Sequence, residues 1–326
     1  MKKFFALLAL VLGVVSCQTE GFDVNVGGEQ DVNITVSLPD ETRAGSAQGF
    51  DLSKLSASGY ELRYILEIYL NDNDDSNNGK WFRDVEYSDA TTVSFPVRLA
   101  PNKVYTFTVW ADLVKKGTET DLFYNTTDLK NITLKSDVDA EIAKVVELRD
   151  AYTYTDTFEF SGENREKLNM TLTRPFAKVR VVATDLADVT KFGIIPANAD
   201  VEYTSDIHTS FNTVAGDVNA NEIGKPKFDY NIGANDYDEV DEQKQLTVFA
   251  DYIFVPKSGG TISFKLDVNT ASDPIKSNSF NTAIPVERNK VTSIVGDVLT
   301  EGGNVNITVD GTLEELETIT LVDTAA

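Results

Sequence analysis

DVNITVSLP, residues 31–39, alternates without interruption: Val32, Ile34, Val36 and Leu38 are aliphatic, and Asn33, Thr35 and Ser37 between them are polar. A period of two sends the first set to one side of an extended chain and the second to the other, so the stretch reads as a strand with one face buried. Pro39, which cannot donate to a ladder, ends it. The pattern recurs along the chain. In TISFKLDV (261–268), Ile262, Phe264, Leu266 and Val268 alternate with Thr261, Ser263, Lys265 and Asp267; TTVSFPVRL (91–99), KVYTFTVWADL (103–113), DLFYN (121–125) and NITLK (131–135) add further strands. QLTVFADYIFVP (245–256) is apolar on both faces and predicts a central strand, with Gly259-Gly260 as a hairpin turn leading into TISFKLDV. Tyr60–Leu70 fits a helical and a strand periodicity equally. The absence of an N-cap and the Tyr and Ile content favour a strand, which turns near Asn78 and Gly79 and returns as WFRDVEYS (81–88). Only SDVDAEIAKVVELR (136–149) predicts a helix, with Ser136 as N-cap and Val138, Ile142, Val145 and Val146 on one face.

Short strands at this spacing with almost no helix predict an all-β chain of two tandem β-sandwiches. The polar run DAYTYTDTFEFSGENREK (150–167) reads as the break between them, which gives an N-terminal sandwich over 31–165 and a C-terminal one over 166–326.

The front of the chain, MKKFFALLALVLGVVSC, has a basic start at Lys2 and Lys3 and an apolar run from Phe4 to Val15, too short to span a bilayer as a helix. It reads as a signal peptide over 1–16. Val14, Val15, Ser16 and Cys17 match a lipobox, so Cys17, the single cysteine of the 326 residues, is expected to be acylated and to become the mature N-terminus. Several acyl chains on one residue anchor a protein stably, and the polar, Gly-rich stretch 17–30 then serves as a flexible tether. Removing Lys2 and Lys3 leaves 27 basic against 52 acidic residues, a net charge of −25. Such a surface repels nucleic acid and anionic lipid, so neither is an expected partner. With one cysteine no disulfide forms within the chain, and stability rests on the core.

Chemistry has little to work with. His208 is the only histidine and is expected at the surface, so neither a nucleophilic triad nor a zinc site is assembled from the mature chain; no catalytic residue, metal or cofactor is expected. Asp72, Asp74, Asp75, Ser76, Asn78 and Gly79 invite calcium, but an EF-hand register started at Asp74 puts Val85 at its twelfth position, and the loop reads as a polar hairpin tip. Trp81, Trp110, Tyr152 and Tyr154 are either a platform for sugar rings or core residues.

Five stretches carry a resemblance: the lipobox at Cys17; VNITVSL followed by Thr42, Arg43 and Ala44; RPFAKVRVVATD (174–185); VEYTSDIHTSFNTVAGDV (201–218); and IPVERNKVTSIVGDVLT (284–300). Together they resemble the fimbrillin-like surface lipoproteins of the Bacteroidetes. The resemblance implies two transthyretin-like β-sandwich domains and a lipid-anchored, surface-exposed protein of the outer membrane. In pilin members an arginine-specific protease cuts after the first strand, and the vacated groove accepts a donor strand from the next subunit. By position Arg43 is then the cleavage residue, Ala44 the new N-terminus, and Val32, Ile34, Val36 and Leu38 the exchangeable strand. Other fimbrial subunits, or a second copy of the chain, are the implied partners, with a host or glycan ligand beside them. The alternative to this reading is a surface glycan-binding lipoprotein of a nutrient uptake system.

VNITV recurs at Val305–Val309. Either Val305, Ile307 and Val309 form the donor strand of a neighbouring copy, or VNITV is a generic strand in an Asn- and Thr-rich sequence.

Overall fold

The computed structural model describes residues 28–39, 55, 59–71, 79–138, 146–240, 243–300, 305–310 and 316–320. Cys17, Arg43, Ala44, the acidic turn at 72–78 and the centre of the predicted helix at 139–145 lie outside the described residues.

The chain is all-β. Its first nine strands are β1 (Gln30–Ser37), β2 (Tyr60–Leu70), β3 (Lys80–Ser88), β4 (Thr92–Leu99), β5 (Lys103–Lys115), β6 (Tyr124–Asn125), β7 (Ile132–Leu134), β8 (Ala151–Phe160) and β9 (Asn169–Thr171). Seven of them form two sheets, one in the order β4-β1-β9 and one in the order β3-β2-β5-β8. The strand predicted over Tyr60–Leu70 is β2, and every residue from Leu62 to Tyr69 is buried. Its wholly apolar face carries Leu62, Tyr64, Leu66 and Ile68; its other face carries Arg63 and Glu67 and lies under the segment from Asp121 to Lys130. Arg63 Nη1 donates to Asp121 at 2.7 Å, Arg83 bridges from Glu67 to the Thr126 carbonyl, and the Lys130 ammonium sits 4.8 Å above the Tyr69 ring. Burial on both faces is why the stretch shows no clean alternation and imitates a helix.

The remaining strands are β10 (Phe176–Ala183), β11 (Asn198–Tyr203), β12 (Ile207–His208), β13 (Ser210–Asn212), β14 (Asp217–Val218), β15 (Ile223–Gly224), β16 (Lys227–Asn231), β17 (Tyr237–Val240), β18 (Gln243–Phe254), β19 (Gly260–Asn269), β20 (Pro274–Val286), β21 (Val291–Gly296), β22 (Val305–Asp310) and β23 (Leu316–Thr320). One sheet runs β15-β12-β18-β10-β21-β22-β23 with β17 also on β18, a second runs β16-β11-β19-β20, and a small one runs β14-β13-β7-β6. The central strand expected at 245–256 is β18.

Three local expectations give way. Gly259-Gly260 makes no hairpin, because β18 and β19 belong to different sheets. β18 is flanked in its own sheet by β10 and, on the other side, by β17 and β12, so the chain must leave it, and Gly259 at φ +76° turns it across. The polar run 150–167 contains the ten-residue strand β8, whose Thr and Tyr residues suit a pleated surface. The described end of the predicted helix, Val146–Arg149, is one 3-10 turn.

Pairing also crosses residue 165. β9 lies beside β1, and β13 pairs with β7. Trp110, Tyr124, Phe176, Phe211 and Phe254 form one aromatic cluster drawn from both parts of the chain, with centroids 5.2 Å apart for Trp110–Tyr124 and 4.9 Å for Phe176–Phe254. Beside it two ion pairs are buried: Arg149 Nη1 with Asp251 at 2.5 Å, and Arg174 with Asp150 at 2.7 Å.

Candidate strand-exchange site

Val32, Ile34, Val36 and Leu38 all point inward, the first 9% exposed and the other three 0%. Their register places Val32 opposite Val97, Ile34 opposite Phe95 and Val36 opposite Val93 on β4, and Phe95 and Val97 are buried with them. Burying four such side chains contributes about 6–12 kcal/mol gross, before ordering costs.

The two walls of the groove differ. β4 pairs antiparallel with β1 over all eight residues, Gln30↔Leu99 to Ser37↔Thr92. β9 pairs parallel over three, Thr35↔Asn169, Val36↔Met170 and Ser37↔Thr171, and the Leu172 amide adds a bond to the Ser37 carbonyl at 2.9 Å. Among the described residues, the first half of β1 is therefore strand-paired on one side only. β4 itself is the outer strand, and its Pro96 withholds an N–H from the exposed edge.

The short wall is held independently of β1. Thr173 exchanges two backbone bonds with Thr153 of β8, at 2.7 and 2.9 Å. Arg174 donates from Nε and Nη2 to the two oxygens of Asp150 at 2.7 and 2.8 Å and lies 4.9 Å from the Tyr152 ring centroid. Burial works against its charge, but Asp150 and Tyr152 outweigh burial and hold the guanidinium above its ordinary value, so it stays ionised. Nothing in the sequence signals the β1–β9 pairing, because parallel neighbours are joined only by distant chain.

The other expected residues fall elsewhere. Val305, Ile307 and Val309 form β22, which pairs with β21 on one side and β23 on the other, and Ile307 is 3% exposed. Of the aromatic residues, Trp110 and Tyr152 are core, while Trp81 is half-buried with its ring 5.4 Å from Tyr105, so no four-residue sugar platform forms. His208, expected at the surface, is half-buried in β12 opposite Phe254. Among the described residues no group of three or more His, Cys, Asp or Glu side chains is placed to hold a metal, and no helix is long and apolar enough to cross a membrane.

Residues 24–321 match the model of a family of unknown function (DUF6562). The chain belongs to that family. No curated protein is significantly similar to this member. Among solved structures, the family member is similar to a fimbrial assembly protein of Parabacteroides distasonis, at 10% identity and TM-score 0.44, over 90% of this chain and 99% of that one. It is also similar to a tip fimbrial protein of Porphyromonas gingivalis with C-terminal truncation, at 12% identity and TM-score 0.44, over 86% of this chain and 99% of that one. At these values the likeness assigns no function.

Proposed function

We propose that this protein is a lipid-anchored, surface-exposed subunit of a fimbrial or adhesive assembly, and that it receives a strand from another subunit in the place of β1. The carrying observation is the asymmetry of the groove. β1 and the residue after it, Leu38, supply four buried aliphatic side chains, yet β1 is laddered in full to β4 alone, and the three-residue wall β9 is fastened elsewhere. If β1 leaves, an apolar slot lined by unpaired backbone groups remains, which is the template for strand addition. Arg43 lies six residues beyond the last residue of β1, so a cut there frees the strand and separates the body from Cys17 and its lipid. No catalytic role is proposed.

Two outcomes follow. N-terminal sequencing of protein from assembled material is expected to begin at Ala44, and an Arg43→Ala variant is expected to remain cell-bound, starting at Cys17; finding Arg43→Ala protein in shed assemblies would contradict the scheme. Cys17→Ala is expected to abolish incorporation of labelled palmitate and to move the protein out of the membrane fraction, and full labelling of that variant would place the lipid elsewhere.

A further inference from the structure

Resting on that strand-receiving role, we infer that the strand taken up in place of β1 comes from a different protein and not from the C-terminus of a second copy of this chain. The groove has four inward positions, now filled by Val32, Ile34, Val36 and Leu38. A replacement strand must offer an aliphatic side chain at each, since a fully buried site left empty keeps a cavity.

β22 offers three. Laid with VNITV on VNITV, it puts Val305, Ile307 and Val309 at the first three positions and Gly311 where Leu38 is 0% exposed. Slid by two residues, it puts Gly303 in the place of Val32, sets the smaller Val305 and Val309 into the sites of Ile34 and Leu38, and forces Ile307 into the site of Val36. A slip of one residue turns the apolar face outward. Every register that keeps the face inward thus leaves one position to glycine. The last strand does no better: Ile319 and Leu321 are flanked by Glu317 and Asp323, and Leu316 and Val322 enclose Thr318 and Thr320.

The placement of β22 argues the same way. It is paired on both sides at home, and Ile307 and Thr308 are buried there, so donating it means dismantling the edge of its own sheet. A matured copy that begins at Ala44 has also lost its own β1 and has none to give. The groove therefore fits a foreign strand with four alternating aliphatic residues, the last one filling the Leu38 site.

The test uses the full mature chain made without its signal, with a specific protease site inserted between Arg43 and Ala44 and a dye on Cys17. After nicking, unlabelled peptides compete for the groove, and release of the dyed segment is measured. The peptide of residues 30–39 and the peptide of residues 303–312 carrying Gly311→Leu are expected to displace it at similar concentrations. The natural 303–312 peptide is expected to need about 30-fold more, the usual consequence of leaving one large aliphatic site unfilled. If natural 303–312 competes as well as 30–39, the inference is overturned while strand exchange stands. If the 30–39 peptide itself never displaces the dyed segment, β1 does not exchange and the role on which the inference rests is lost.

Discussion

Replacing Asp251 by alanine is expected to destabilise the protein by about 3–5 kcal/mol, a large part of the roughly 5–15 kcal/mol that holds a typical domain folded. Asp251 is 1% exposed and accepts from Arg149 Nη1 at 2.5 Å, the Tyr203 hydroxyl at 3.0 Å and the Tyr252 amide at 2.8 Å. Burial pushes its carboxyl up, and Arg149 and these hydrogen bonds pull against that. Its removal strands a guanidinium that is 7% exposed beside the Phe228 ring and leaves a buried tyrosine hydroxyl without its acceptor. The double replacement Arg149→Met with Asp251→Leu removes both charges, so most of the loss is expected to return. Chemical denaturation of the two single variants and the double variant measures the coupling. Additive losses would show that the pair does not act as a unit. Because Arg149 precedes β8 and Asp251 lies on β18, the pair joins parts of the chain on either side of residue 165.

Ile34→Asp is the second large effect. Ile34 is 0% exposed and opposite Phe95, so a carboxylate there has no partner, and its cost adds to the about 2–5 kcal/mol of losing the aliphatic side chain. Thr35→Asp, one residue along on the half-buried opposite face, is expected to stay within about 0.5 kcal/mol of the parent. The contrast tests the facing of β1 directly: equal losses at the two positions would mean that the strand does not present one apolar face. If β1 is replaceable, excess peptide of residues 30–39 is also expected to recover thermal stability in Ile34→Asp but not in Asp251→Ala, since only the first defect lies in the exchangeable strand.

Residue pattern by itself determined the all-β class, the existence and facing of β1 and β19, and the hairpin pairing of β2 with β3, because alternation and turn residues are local properties of the chain. It was ambiguous in one place and wrong in another where burial or connection depended on distant chain. Tyr60–Leu70 looked partly helical because the segment from Asp121 to Lys130 covers its second face. Gly259-Gly260 looked like a hairpin because a turn signal does not say whether the next strand joins the same sheet. Only the tertiary structure decided that β1 lies between a full wall and a three-residue wall, that VNITV at Val305–Val309 is enclosed by two neighbours, and that Arg149 meets Asp251 across 102 residues of sequence. Those facts rest on which strands become adjacent, and adjacency is set by how the sheets close over a shared core rather than by any repeat along the chain.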